Sequence, residues 1–179
     1  MEEKSYIEIK VPFSYKTDCF GRLRHQFDGV PIHWQYDYYH ITMAFIDKTL
    51  CVEDVKSIFL KYFSNVPPIK ITFDKFDAFT THLGMHIIYL GASNIPEELL
   101  LLNKKFREEI TNTGSVINLD FYLHVTIGRV MDKGISLDDI SSLIDKVKIQ
   151  PFTVSLNEVV YRYFRGPIIS KLVLKENIL

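Results

Sequence analysis

Two copies of one short pattern contain the residues in this sequence that are best suited to proton transfer. Residues 38–44 and 122–128 both read Tyr-x-His-x-Thr-x-small, with Ala or Gly at the last position. An imidazole titrates at about pH 6.5, and a threonine hydroxyl can donate a hydrogen bond to a phosphate oxygen. Two histidines and two threonines are suited to acid–base catalysis on a phosphate ester, in which one histidine takes a proton and the other gives one. The predicted catalytic residues are His40, Thr42, His124 and Thr126.

Both copies are predicted to lie in the middle of β-strands, because polar and apolar residues alternate through them. Alternate side chains of a strand point to opposite faces, so the Tyr, His, Thr and small residue of each copy are expected on one face. The residues between them are expected to form an apolar, buried face: Tyr39, Ile41, Met43 and Phe45 in the first copy, and Leu123, Val125 and Ile127 in the second.

The alternative interpretation of the repeat is purely structural. Thr and Tyr favour strands and would recur there without any function. That interpretation leaves the histidines unexplained, since His-x-Thr is expected only about 0.3 times by chance in a chain of this composition. We therefore take the acid–base site as the working hypothesis.

The composition indicates an ordinary globular protein with a small ligand. At 179 residues, 47% of them hydrophobic and 24% charged, the chain is long enough for a substantial core and short enough for one domain over residues 1–179. The net charge of -1 provides no general attraction for a long polyanion. We therefore expect a monomer whose partner is a small nucleotide or an RNA terminus, and not duplex DNA.

Targeting, redox and metal motifs are all missing from the sequence. The first residues lack the basic start and apolar run of a secretory signal, and no segment approaches the roughly 20 apolar residues that cross a bilayer. Cys19 and Cys51 lack the short spacing of a zinc or redox pair. His82 and His86 flank a predicted turn but have no Cys or carboxylate at ligand spacing. We expect a cytoplasmic protein with no membrane partner, no metal and no cofactor.

Periodicity elsewhere predicts helices and strands in an α+β order. Residues 14–35, which are interrupted by glycine and proline, predict a long ordered loop with at most one helical turn. Besides the first motif strand, the predicted strands are 5–13, 69–79, 85–90, 121–130, 152–164 and 168–175. The predicted helices are 52–63 with an Asp47 cap, a second from Pro96 to residue 114, and a third capped by Ser136 or Asp138.

Each half of the chain contains a motif strand, a helix and a return strand, which indicates an internal repeat of one lobe. In this order of elements, the triplets at 40–42 and 124–126 resemble those of the 2H phosphoesterase superfamily, which includes bacterial 2'-5' RNA ligase-like proteins and cyclic nucleotide phosphodiesterases. The resemblance implies a bilobal α+β fold, with two pseudo-symmetric lobes whose antiparallel sheets line a central cleft and whose helices lie outside. The 14–35 segment departs from it, because many members have a helix there.

The resemblance also implies an enzyme, a metal-independent phosphodiesterase acting on 2',3'-cyclic phosphates, 2',5'-linked oligonucleotides or cyclic dinucleotides. It favours His124 as the base and His40 as the acid, and the two roles exchange if the substrate binds in the opposite orientation. Two alternatives are a nucleotide-binding module without activity and a 2'-5' RNA end-joining enzyme that uses the same site in reverse.

Four tyrosines are candidates for substrate binding: Tyr38, Tyr122, Tyr161 and Tyr163. The first two share a face with the histidines and can bond phosphate or stack on a base, or they can merely brace the histidines. The last two lie in the penultimate predicted strand, where they can stack on a base or simply pack. Four arginines are candidates for neutralising a phosphate: Arg22, Arg24, Arg162 and Arg165.

Overall fold

The structure, a computed structural model, describes residues 3–12, 17–117 and 120–175, and in that part of the chain it has eleven strands and four helices. The strands are β1 Glu3–Val11, β2 Ile32–Trp34, β3 Tyr39–Thr49, β4 Ile69–Phe73, β5 Lys75–Thr80, β6 His86–Gly91, β7 Val116–Ile117, β8 Val125–Val130, β9 Phe152–Leu156, β10 Glu158–Tyr163 and β11 Ile168–Val173. The helices are α1 Thr17–Gln26, α2 Val52–Phe63, α3 Glu97–Asn112 and α4 Leu137–Ile144.

One antiparallel sheet runs through the molecule in the order β11-β10-β1-β3-β8-β6-β5, with β2 added to β8 and β7 added to β3. A second sheet consists of β4 and β9 alone. The two motif strands, β3 and β8, are neighbours but share a single ladder pair, Ile41 with Val125. The sheet is therefore two half-sheets that meet along one seam, which is the bilobal α+β arrangement predicted from the sequence.

Helices pack on the apolar face of the sheet. Helix α2 buries one stripe at helical spacing, from Val55 to Phe63, and its Phe59 ring lies 6.2 Å from that of Tyr161 in β10. Phe63 packs on Phe106 of α3, with ring centroids 5.3 Å apart. Each fully buried ring of this kind contributes about 1.5–3 kcal/mol, so these contacts hold the helices to the sheet.

Helices α4 and α2 begin at different kinds of N-cap residue. Helix α4 begins with a capping box, in which the Ser136 hydroxyl accepts from the Asp139 backbone N–H and the Asp139 carboxylate accepts in return. The predicted cap of α2 is wrong: Cys51 is the N-cap, and Asp47 lies inside β3, where it forms an ion pair with Lys4.

The β5–β6 hairpin and the helix after Pro96 are as predicted. The predicted strand 69–79 is divided at Asp74 into β4 and β5.

The prediction of a long loop over residues 14–35 is wrong, since this segment contains α1 and β2. The helix buries Phe20, Leu23 and, just beyond its end, Phe27. Its polar face carries Arg22, Arg24 and His25, which hid the short apolar stripe from a reading of local pattern. The departure from the family pattern in this region therefore disappears. No helix in the described ranges is long and apolar enough to cross a membrane.

Candidate acid–base site

The site forms where β3 and β8 meet. Ile41 and Val125 are fully buried ladder partners on the core side, so the residues on either side of each point to the opposite face. Extending the antiparallel register by one residue in each direction places His40 opposite Thr126 and Thr42 opposite His124. The structure thus brings together the four residues predicted to be catalytic, one histidine and one threonine from each half-sheet.

A β-bulge follows the threonine in both copies of the motif. In β3 the partners of Ile7 and Glu8 are Ala44 and Thr42, which leaves Met43 as the extra residue. In β8 the partners of Ile88 and Tyr89 are Gly128 and Thr126, which leaves Ile127 as the extra residue. Because each bulge inserts one residue, the alternation of faces reverses beyond it.

The bulges correct the predicted arrangement of faces. The small residues Ala44 and Gly128 are both buried, although Ala44 still borders the cavity that Thr42 and His124 line. A Cβ at Gly128 would lie 2.8 Å from the Trp34 ring, so neighbouring β2 leaves room only for glycine. Phe45, one position after Ala44, was predicted to be buried but lines the same cavity. Arg129 is close enough for its charge to lower the pKa of both histidines.

The two histidines occupy the beginnings of their strands. His40 is the second residue of β3, and His124 immediately precedes β8, so the predicted strand 121–130 is shorter than expected. The Nδ1 atom of His124 lies 2.9 Å from the carbonyl oxygen of Tyr122. In the neutral ring Nδ1 donates this hydrogen bond, which leaves Nε2 as the proton acceptor.

Aromatic rings surround His124. The centroids of Phe79, Tyr122 and Tyr89 lie 5.2, 5.8 and 6.0 Å from that of the imidazole. Burial lowers the pKa of His124, Arg129 lowers it further, and the hydrogen bond with the Tyr122 carbonyl opposes both effects. The ring is therefore neutral at physiological pH and can accept a proton.

Polar and charged groups surround His40. Burial lowers its pKa to about 4, and the neighbouring His124, Arg129 and Arg162 act in the same direction. The carboxyl group of Glu8, from β1, is completely buried, and its Oε2 atom lies 3.6 Å from Nε2 of His40. Burial raises the pKa of Glu8, whereas the hydrogen bond from Tyr38 and the charge of Arg162 lower it. Sequence reasoning missed Glu8 because a polar residue on the exposed face of an alternating strand is unremarkable.

Two of the four candidate tyrosines lie at the histidines. The Tyr38 ring is 5.5 Å from the His40 ring, and its hydroxyl donates to Glu8 Oε1 at 2.5 Å. Tyr122 is 52% exposed and shares a hydrogen bond with the hydroxyl of Tyr89.

The other two candidate tyrosines, Tyr161 and Tyr163, face away from the histidines. Tyr161 is completely buried against Phe59, so it cannot stack on a base. Tyr163 pairs with the fully buried Ser5 and alternation places it on the same side as Tyr161. Arg162 lies between them and faces Glu8, with its Nη1 atom 3.9 Å from Oε1. The alternation of β10 therefore presents the arginine to the site and removes both tyrosines from it.

The other three candidate arginines, Arg22, Arg24 and Arg165, contact residues outside the two motifs. Arg22 lines a separate cavity of about 580 Å³ with His25 and two lysines. Arg24 packs 5.1 Å from the centre of the Tyr36 ring, and Arg165 packs at the same distance from that of Phe164. Within the described ranges no three His, Cys, Asp or Glu side chains form a group that could hold a metal ion.

A cavity of about 70 Å³ opens beside the threonine of the first motif and the histidine of the second. Its lining also includes Arg107 of α3, which donates to the Met43 carbonyl at 3.3 Å, and Asp120. Burial lowers the pKa of Arg107, and Asp120 opposes that effect. A larger, mostly apolar cavity of about 460 Å³ lies between α2 and α3 and contains no motif residue, so we place the chemistry at the smaller one.

The chain is similar to known proteins in sequence and in fold. Residues 22–166 match the family described as the 2'-5' RNA ligase superfamily. The structure of E. coli LigT complexed with 3'-AMP is similar, with a TM-score of 0.63 at 16% identity, covering 98% of this chain and 100% of that chain. No curated protein sequence matches this chain.

A second group of similar structures comes from a yeast. The structure of Kluyveromyces marxianus Usb1 has a TM-score of 0.70 at 10% identity, covering 97% of this chain and 99% of that chain. Its structure with uridine monophosphate has a TM-score of 0.67 at 10% identity, covering 96% and 99%. At these identities the likeness establishes the fold alone.

Proposed function

Because this chain belongs to the 2'-5' RNA ligase superfamily of 2H phosphoesterases, we propose that it is a metal-independent phosphodiesterase. Its substrate is a small cyclic or 2',5'-linked nucleotide, or a 2',3'-cyclic phosphate at an RNA end. The observation that carries this proposal is the pairing of Ile41 with Val125, which sets two His-x-Thr motifs side by side on one face of the sheet.

The proposed reaction uses the two histidines in opposite protonation states. His124, neutral and with Nε2 as its acceptor atom, takes a proton from water as the water oxygen bonds to phosphorus. The P–O bond to the leaving oxygen breaks, and His40 gives that oxygen a proton. An anionic phosphate between the rings raises the pKa of His40 from its low value in the free protein, because the negative charge stabilises the imidazolium.

The threonines and Arg129 serve the phosphate itself. Thr42 and Thr126 donate hydrogen bonds to nonbridging oxygens, and Arg129 supplies a positive charge that acts on both histidines. Tyr38 and Tyr122 flank this position and bound the space for the nucleoside. The site thus provides a base, an acid, hydrogen-bond donors and a positive charge without a metal ion.

Two observations support a nucleotide-sized substrate. The net charge of -1 supplies little long-range attraction for RNA. The similar proteins LigT and Usb1 have structures with 3'-AMP and uridine monophosphate, which are single nucleotides.

The test is a screen of the purified protein against 2',3'-cyclic nucleotides, 2',5'-oligoadenylate and 3',5'-cyclic dinucleotides, with each product phosphate located by ³¹P NMR. His124→Ala is the matched control, since contaminating activity does not depend on it. Hydrolysis by the wild type alone supports the proposal, and its kcat/KM is expected to be bell-shaped in pH. Binding without turnover would indicate a nucleotide-binding module, and net joining of RNA ends would indicate a ligase; either result would contradict hydrolysis.

A further inference from the structure

Glu8 is a carboxylic acid enclosed within the sheet beside one of the two histidines. It is 0% exposed, and its Oε2 atom finds no hydrogen-bond partner among the described residues. A buried carboxyl oxygen without a partner is unfavourable, so its presence calls for a physical reason. The Nε2 atom of His40 lies 3.6 Å from this oxygen.

The surroundings of Glu8 fix the direction of its carboxyl group. Oε1 accepts from the Tyr38 hydroxyl at 2.5 Å and lies 3.9 Å from Nη1 of Arg162 in β10. Arg162 is itself held by the Gly166 carbonyl at 2.9 Å. Tyr6 of β1, whose ring lies 6.2 Å from that of His40, stays neutral because burial and Glu8 raise its pKa. Lys10, the ladder partner of His40, forms its ion pair with Glu158 instead. With Oε1 occupied, Oε2 is left for His40.

The second lobe has a corresponding position that cannot ionise at neutral pH. Glu8 is the ladder partner of Thr42, and Tyr89 is the ladder partner of Thr126. Each of these residues bonds the tyrosine that precedes the local histidine by two positions: Glu8 bonds Tyr38, and Tyr89 bonds Tyr122. The two halves of the site therefore correspond in these contacts, except that Thr42 has a carboxyl group as its ladder partner and Thr126 has a phenol. In the second half, the carboxyl group of Asp77 accepts from the Tyr89 hydroxyl at 3.1 Å and is one residue further from the histidine.

We propose that Glu8 is a positioning residue whose carboxyl group is coupled electrostatically to His40, and that this coupling makes His40, and not His124, the acid of the reaction. The proposal rests on the two-histidine function proposed above. At 3.6 Å the oxygen is beyond hydrogen-bond distance, so Nε2 stays available to the leaving oxygen, yet a charge at this separation interacts strongly with an imidazolium.

The proposal predicts the direction in which the pH dependence of activity changes when Glu8 is replaced. The negative charge of a carboxylate beside His40 stabilises the imidazolium, so His40 keeps its proton to higher pH than a buried histidine without such a neighbour would. The acid must be protonated, so activity is lost as pH rises through the pKa of the pair. Glu8→Gln removes the carboxylate and should move the alkaline limb of the kcat/KM profile to lower pH by about one unit or more, with the acidic limb unchanged.

The experiment measures that limb together with the ionisation of His40 itself, by ¹⁵N-edited imidazole NMR titration of wild type, Glu8→Gln and the control Glu158→Gln. The control makes the same chemical change on the same sheet, at a carboxylate that pairs with Lys10 and Lys171. We expect the His40 proton to be lost at lower pH in Glu8→Gln only. A purely structural role would lower kcat without moving either limb.

Three results would overturn the proposal: an unchanged His40 titration in a folded Glu8→Gln protein, an unchanged alkaline limb, or a shift of the acidic limb, which would make His40 the base. If Glu8→Gln does not fold, titration of the wild type with ¹³C-labelled glutamate carboxyl groups decides instead, since in a coupled pair the Glu8 signal also reports the titration step of His40, and a Glu8 signal that does not respond to that step overturns the proposal. If no substrate is hydrolysed, the proposed function fails, whereas the NMR titration still tests the coupling between Glu8 and His40.

Discussion

Substituting Gly128 by alanine should destabilise the protein, although the change adds only one methyl group. That Cβ would meet the Trp34 ring at 2.8 and 2.9 Å and Cγ2 of Ile32 at 2.9 Å, all closer than real Cβ contacts. The ring cannot easily retreat, because it packs edge-on against Phe27 with centroids 5.9 Å apart. Overpacking of this kind costs about 1–3 kcal/mol, and restricting the unfolded chain returns up to about 1 kcal/mol.

The expected outcome is a Tm lower by about 1–10 °C, measured by calorimetry or circular dichroism. Gly21→Ala is the matched control, since its Cβ meets nothing within 4 Å in the middle of α1. That substitution should raise Tm slightly, because alanine favours a helix over glycine by about 0.5–1 kcal/mol. Since Gly128 lies two residues from Thr126, a displaced β8 should also lower kcat/KM by about tenfold to a hundredfold. A Gly128→Ala protein as stable as Gly21→Ala would refute the packing argument.

Three further predictions concern activity. His40→Ala and His124→Ala should each lower turnover by about 10²–10⁴-fold with little change in Tm. The double variant should be little worse than either single variant, because the two histidines act in one step; normal turnover by folded His124→Ala would exclude the mechanism. Activity should survive EDTA; loss that zinc or manganese restores would indicate a metalloenzyme. For an RNA substrate, the salt dependence of binding should correspond to about one to three phosphate contacts; a steeper slope that grows with RNA length would indicate a long-RNA enzyme, with Arg22 and Arg24 the first residues to neutralise.

The fold and the centre of the site were predictable because they depend on strong local patterns. Val55 to Phe63 repeats at helical spacing, and Pro96 marks the start of α3, so both helices emerge from the sequence alone. The two His-x-Thr motifs needed no tertiary information to be paired, since the order of elements around them already indicated the family.

The errors arise where partner strands decide the conformation. The bulges at Met43 and Ile127 depend on how β1 and β6 pair with the motif strands, and no local signal announces them. They bring Phe45 and Arg129 toward the motif residues, which strict alternation does not predict. For the same reason the faces of β10 were reversed: its ladder with β1, and not its own composition, puts Arg162 toward Glu8 and Tyr161 into the core.

The seam between the half-sheets also dictates when, during its own synthesis, the protein acquires its site. The half-sheet that holds His40 consists of β1 and β3 from the start of the chain and of β10 and β11 from its last part. A ribosome delivers these strands in order, so β1 waits with one edge uncovered until residues 158–163 emerge to pair with it. Arg162 arrives with that strand and completes the surroundings of Glu8. A nascent chain that has already joined β3 to β8 thus has both histidines but still lacks part of the environment that sets their charges.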